Sequence, residues 1–434
     1  MSSTLWVPFS GDGAGTEELT WGQRDIWQMM EMSGTTRMVG GTTPLATGTT
    51  VTHIAHLLSF IVSRHQSLRT RISLMPDGTP IQVLASSGEV ALEIVDAGDG
   101  ADPASVAETV RSRYGSMPID LAIEWPVRMA VIQQDGKPAY FAVMYPHVVI
   151  DGYGVDALSS DLTLLDQATG EHLGPRSGIQ PLDLARQQQS PTARRQSAAS
   201  LRYWDKLLST HSASQFGDSA TPREPRYWEA TYDSPAAFLA ASAISAQTGL
   251  HTGAIVMAAY AFALAHVTGV PRRLIRVQVS NRFRPGFAHS VSTLVQPGLC
   301  VIDVTSCTLA EAAQQAWRSQ LAAGKHGYYD PRDLPALTDP CSYFNDRRRA
   351  LAAPTATAAT APSREAILAA LPASTLTPGV RYDNRDVTAY LNVNAAADTL
   401  NYTLRVDTQA LSPSDQESIL RSIESILVSA ALAS

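Results

Sequence analysis

The chain has 434 residues, 44% hydrophobic and 17% charged, a balance typical of folded globular protein and far from that of a disordered chain. Its formal net charge of −7 argues against nucleic acid as a partner, because such binders gather positive charge. Cys300, Cys307 and Cys341 form no CxxC pair, which argues against a disulfide framework or a metal site.

In chain order, the opening residues lack a basic stretch followed by an apolar one, so no leader is expected. The Gly11-Asp12-Gly13-Ala14-Gly15 run reads as a mobile loop rather than a phosphate cradle, because no strand is evident before it. Thr20 is a candidate N-cap for a helix beginning at Trp21. From Val51 to Arg64, Ile54, Leu57, Leu58, Ile61 and Val62 recur at helical spacing. Strands are predicted over 70–75 and 81–84 about the turn Pro76-Asp77-Gly78, and over 127–132 and 140–145 about Asp135-Gly136. A helix carrying Val155, Leu158, Leu162 and Leu165 on one stripe is expected next.

Residues 167–200, rich in Gln, Ser, Pro and Arg, read as a connection between two halves. Residues 249–267 predict a helix buried on most sides and ending at Gly269, followed by a strand over 274–279. Its apolar core, 254–265, is too short to span a bilayer, so a protein without a membrane partner, located in the cytoplasm, is expected. The basic pairs Arg194-Arg195 and Arg272-Arg273 and the run Arg347-Arg348-Arg349 read as solvated surface. The low-complexity stretch 350–363 predicts a mobile loop, 388–393 and 400–406 predict strands, and Ser412-Pro413 opens a last helix.

The strongest chemical signal is His147-x-x-x-Asp151-Gly152 at the end of the 140–145 strand. A strand end holds a side chain on rigid backbone, and imidazole titrates near neutrality, which suits proton transfer. No G-x-S-x-G, H-E-x-x-H or G-x-x-x-x-G-K-[ST] motif competes with it.

Residues 141–165 resemble the active-site region of nonribosomal peptide synthetase condensation domains, whose signature is H-H-x-x-x-D-G with the second histidine functional. That position is His147; Pro146 replaces the first histidine. Residues 19–27 look like the family's opening element, and 64–70 (RHQSLRT) are similar to its R-H-E-x-L-R-T element. Residues 253–282 look like its apolar helix, strand and N-R ending, with Asn281 and Arg282 in place. Gln296 departs from the family's F-V-N at 294–296, and 402–420 are similar to its closing strand and helix.

The resemblance implies an α/β fold of two chloramphenicol acetyltransferase-like lobes in a V-shaped pseudo-dimer, each a sheet flanked by helices. The N-terminal lobe would cover 1–175 and the C-terminal lobe 176–434, with a tunnel at their junction. It implies a free-standing condensation enzyme that transfers an acyl or aminoacyl group from a carrier-protein thioester to an amine or alcohol. The partners would be a peptidyl or acyl carrier protein and a small-molecule or carrier-bound acceptor. No cofactor would be bound permanently, since the substrate arrives on the carrier's phosphopantetheine.

Under this reading His147 orients the nucleophile and accepts its proton, and Asp151 is structural, paired with Arg69. The Gly152 N–H either helps hold an oxyanion or simply makes the turn. Tyr153, Gly154, Arg282 and Gln296 are candidates for lining the tunnel, no residues form a metal site, and His65, His266 and His326 are ordinary structural residues. The alternatives are an acyl-CoA-dependent acyltransferase of the same superfamily and a non-catalytic recruitment domain.

Overall fold

The computed structural model describes residues 2–211, 214–217, 222–334, 342–348 and 361–433. They divide into two units: Met1–Arg195 with Ser280–Gln296, and Gln196–Val279 with Pro297–Ser434. The division falls at 195/196, not at the expected 175/176, and the chain returns to the first unit for 280–296. The Gln-rich stretch resembles a linker in composition, but most of it is bound to the first unit. Leu182, Leu184 and Ala185 are buried there, and the Gln180 and Gln188 side chains accept from the N–H groups of Gln66 and Trp21.

In the first unit a five-stranded sheet has the order β1-β6-β7-β8-β3, comprising β1 (Ser2–Ser10), β3 (Met38–Pro44), β6 (Ser87–Asp96), β7 (Arg128–Gln134) and β8 (Lys137–Pro146). A three-stranded sheet pairs β2 (Gly15–Glu18), β5 (Pro80–Leu84) and β4 (Thr70–Leu74). The helices are α1 (Trp21–Ser33), α2 (Val51–Arg64), α3 (Pro103–Ser116), α4 (Gly152–Asp161), α5 (Pro181–Gln188) and the start of α6 (Pro191–Thr210). Thr20 caps α1 in a reciprocal box with Gln23, as its position predicts. The apolar positions of α2 fall on the buried side: Ile54, Leu58, Ile61 and Val62 join one core with Val7, Leu92, Met129 and Val148.

The sequence hides β1, so the glycine run after it is misjudged as mobile. A strand precedes it, and the buried Arg69 guanidinium donates to the Asp12 and Gly13 carbonyls and to Ala85 O. The helix expected to reach Leu165 stops at Asp161; a single 3₁₀ turn follows, and Leu165 bridges His172.

The second unit carries a seven-stranded sheet of order β11-β10-β12-β14-β15-β9-β13. Its strands are β9 (Tyr227–Ser234), β10 (Arg272–Val279), β11 (Gln296–Asp303), β12 (Ser342–Asp346), β13 (Thr375–Tyr382), β14 (Ala389–Asn394) and β15 (Leu400–Asp407). Its further helices are α7 (Pro235–Thr248), α8 (Thr252–Thr268), α9 (Leu309–His326), α10 (Arg364–Ala370) and α11 (Pro413–Ala433). The apolar segment read as one helix from 249 begins at Thr252, because Gly249, at φ +69°, ends α7 in the left-handed region. Residues 253–261 of α8 are all buried, with α7, α9 and α11 packed about them, so its apolarity is that of a core helix. No single helix among the described residues is long and apolar enough to cross a membrane.

Arg272 pairs with Asp303 near the surface, but Arg273 corrects the solvated reading. It is fully buried, donates to Gln215 O and the Thr268 hydroxyl, and stacks on Phe216. Arg349, Cys341 and residues 350–360 of the low-complexity stretch lie outside the described residues.

Candidate active site

β8 runs between β7 and β3, so its path is fixed by ladders on both sides as far as Met144, opposite Arg128 of β7, and by the β3 ladder alone to its last residue, Pro146, opposite Met38. One further bond continues the ladder: the His147 N–H donates to Arg37 O at 2.7 Å. The chain then turns, with the Val149 N–H returning to Pro146 O at 3.0 Å, and Val148, Val149 and Ile150 are fully buried in the apolar core. From Met144 to Asp151 every residue is buried except His147, which is half-buried. A histidine followed by an anchoring apolar run therefore presents its ring from backbone that cannot easily move.

Asp151 caps α4 and is 2% exposed. Its Oδ1 accepts from the Gly154 N–H at 2.7 Å, and its Oδ2 from the N–H groups of Leu294 and Val295 at 2.8 and 3.1 Å. The Arg282 guanidinium closes the set, with Nη1 3.0 Å from Oδ2 and Nη2 3.0 Å from Oδ1. The expected partner was Arg69, and the structure corrects it. Arg69 binds the carbonyls of the 12–13 turn and Ala85, while Arg282, from the N-R element, takes the carboxylate. A carboxylate holding this many donors is held as an anchor.

Residues 280–296 form a strap gripped along its length. Asn281 enters in the left-handed region (φ +59°), its amide donating to Leu294 O at 3.0 Å. Arg282 also donates to Ser290 O and Ser292 O at 3.1 and 3.0 Å, and the Ser67 hydroxyl to Val291 O at 2.7 Å. The Thr293 hydroxyl donates to His147 O. Two glycines make room for this backbone. A Cβ on Gly22 would stand 2.6 Å from Thr293 O, and one on Gly154 2.9 Å from Ser292 O.

Of the remaining sequence candidates, Gly152 is the first residue of α4, Tyr153 is exposed with Arg282 under its ring at 5.8 Å, and Gln296 is fully buried at the start of β11. Sequence reasoning missed Thr293 altogether. It also missed the ion cluster at the far end of α4, where His65, expected to be unremarkable, is buried with Nε2 3.0 Å from Asp161 Oδ2. Arg64 spans both oxygens of that carboxylate at 2.5 and 3.1 Å. Burial presses the Asp161 carboxyl upward, but the bonds and charges of His65 and Arg64 outweigh it and hold it at about 2. Burial lowers His65 below its ordinary 6.5 despite the neighbouring carboxylate.

Residues 16–341 match the condensation-domain family. The chain belongs to that family. Over 253 residues, 55% of this chain, it is 25% identical to the nonribosomal peptide synthetase kk1B of Curvularia clavata. The condensation domain spans only between 1% and 10% of the length of such curated relatives. Among solved structures it is similar to the chain-releasing condensation domain of the enacyloxin polyketide synthase. The TM-score is 0.72 at 17% identity, over 98% of this chain and 84% of that one. It is also similar to the epimerization domain of tyrocidine synthetase B, with a TM-score of 0.74 at 15% identity over 98% and 99% of the two chains. These likenesses establish the fold, a mixed α/β architecture of sheets flanked by helices, as expected.

Proposed function

We propose that this condensation domain catalyses acyl transfer from a carrier-protein thioester to an amine or alcohol. The acceptor N or O bonds to the thioester carbon, the C–S bond breaks, and the proton lost by the acceptor passes by way of His147 to the departing pantetheine sulfur. The carrying observation is the single half-buried histidine in an otherwise buried turn, on backbone held through both its N–H and its C=O. An amine acceptor draws chiefly on positioning by His147, whereas a hydroxyl acceptor needs it as a base. Asp151 serves as the anchor, and the Gly152 N–H, in the first turn of α4, belongs to the positive end of the helix dipole, which favours a developing oxyanion.

The test mixes acyl-loaded carrier protein, supplied as a separate polypeptide, with amine and alcohol acceptors and reads products by mass spectrometry. His147→Ala should lower turnover by ~10²-fold or more while the fold is retained. Near-normal turnover by the folded variant rejects the role. An acyl-CoA arm separates carrier from CoA donors, and chiral analysis of the recovered acyl group separates transfer from epimerization. Pro146, in place of the family's first histidine, favours a second reading, recruitment without catalysis. No product from any donor, with retained binding of a protein partner, would support it.

A further inference from the structure

His147 is the first residue beyond the paired part of β8. Its N–H still finds a sheet-like partner in Arg37 O, but its carbonyl lies past the end of the ladder. The two peptide planes that flank the His147 Cα, one held at its N–H and the other at this carbonyl, together set the direction of the Cα–Cβ bond from which the imidazole projects. A free carbonyl at this point would let the peptide rock, and the ring would move with it. The preceding residue, Pro146, has no polar side-chain atom to add to the bond that its own carbonyl takes from the Val149 N–H.

The geometry points to Thr293 as a positioning residue for His147. Its hydroxyl donates to His147 O and completes the ladder from outside the sheet. Thr293 is itself immobile. It is fully buried, its carbonyl lies against Gly22, and the flanking residues are held by Arg282 through Ser292 O and by Asp151 through the Leu294 N–H. A β-branched side chain has a restricted χ1, so the hydroxyl is delivered in one direction. The strap thereby transmits its own rigidity to a ring in a distant part of the sequence. This inference deepens the proposed function and rests on it for its catalytic consequence, but not for the positioning itself.

Thr293→Val keeps the shape and removes the donor; Thr293→Ser restores the donor. The first readout needs no substrate: imidazole NMR signals of His147 across pH, identified by their loss in His147→Ala. The wild type and Thr293→Ser should show one ring environment, and Thr293→Val a second population with a displaced titration midpoint. In turnover, Thr293→Val should lose about 10-fold in kcat with KM nearly unchanged, because misplacement weakens the reacting geometry rather than binding. Thr293→Ser should recover most of it. Should the valine variant not fold, Thr293→Ala gives the same readings. Unchanged ring signals in the folded variant overturn the inference whatever the reaction proves to be. A kcat loss that serine does not rescue overturns it as well. Normal turnover by His147→Ala alongside altered ring signals in Thr293→Val would sink the proposed reaction and leave the positioning intact.

Discussion

Asp151 and Asp161 stand at opposite ends of α4, both buried and both paired with arginine. At the N-terminal end the helix dipole favours the carboxylate, which also caps the Gly154 N–H. At the C-terminal end the same dipole opposes the charge, so Asp161 depends on Arg64 and His65. The sources of the partners differ too. Arg282 and the N–H groups of Leu294 and Val295 arrive on the strap, whereas Arg64 and His65 come from the end of α2 and the residue after it. The first end therefore ties the motif's turn to a remote segment. The second end ties two helices together and includes a titratable ring.

The largest expected effect is at the first end. Asp151→Ala strands a mostly buried guanidinium and frees the strap's N–H groups, and Arg282→Ala strands the carboxylate. Each should cost about 3–5 kcal/mol in denaturant unfolding. The double variant should cost far less than the sum, since neither charge is then left alone. Pairing Asp151→Ala with Arg69→Ala should instead give nearly additive losses, because these residues share no partner. Additivity in the first pair, or strong coupling in the second, would contradict the observed pairing. Asp161→Asn should come next, at about 2 kcal/mol, because Arg64 keeps the carbonyls of Gly174 and Pro175 when its counter-charge is lost. A cost equal to that of Asp151→Ala would erase the distinction between the two ends.

The same contrast explains what could be read without coordinates. The spacing of His147, Asp151 and Gly152 is local, as are the periodicities of α2 and the all-apolar α8, so these were legible. The partner of Asp151 was not, because Arg69 and Arg282 are the same residue type in two equally recognisable elements, and only the tertiary fold chooses between them. Thr293 lies in a short polar run, Ser292-Thr293, that carries no periodic signal, and its importance comes wholly from a bond to a main-chain atom. Strands failed where composition contradicts them. β3 (MVGGTTP) carries two glycines, β13 (TLTPGVRY) a Pro-Gly pair at a register shift, and β1 buries only Val7 and Phe9.

The smallest expected effect belongs to His65 and is visible only along the pH axis. Its folded pKa lies below the ordinary 6.5, so the folded state keeps the ring neutral at pH values where the unfolded chain takes up a proton. Its contribution is therefore complete above pH 6.5 and is lost as the pH falls from 6.5 towards the lowered folded value. Asp161, held at about 2 against an ordinary 3.8, adds a separate loss as the pH falls from 3.8 towards 2. Partial solvation keeps the latter on the order of 1 kcal/mol. His65→Gln retains a neutral donor for Asp161 but cannot titrate. Unfolding free energies measured from pH 7.5 to 5 should fall for the wild type and stay flatter for His65→Gln, and the two should decline together below pH 4. Parallel curves across the upper window would mean that the ring titrates alike in the folded and unfolded chain, and a wild-type stability that rose relative to His65→Gln as the pH fell would mean that the ring is already charged in the fold. Asp161 would then hold an imidazolium as well as a guanidinium, and the contrast between the two ends of α4 would be one of charge as well as of partner.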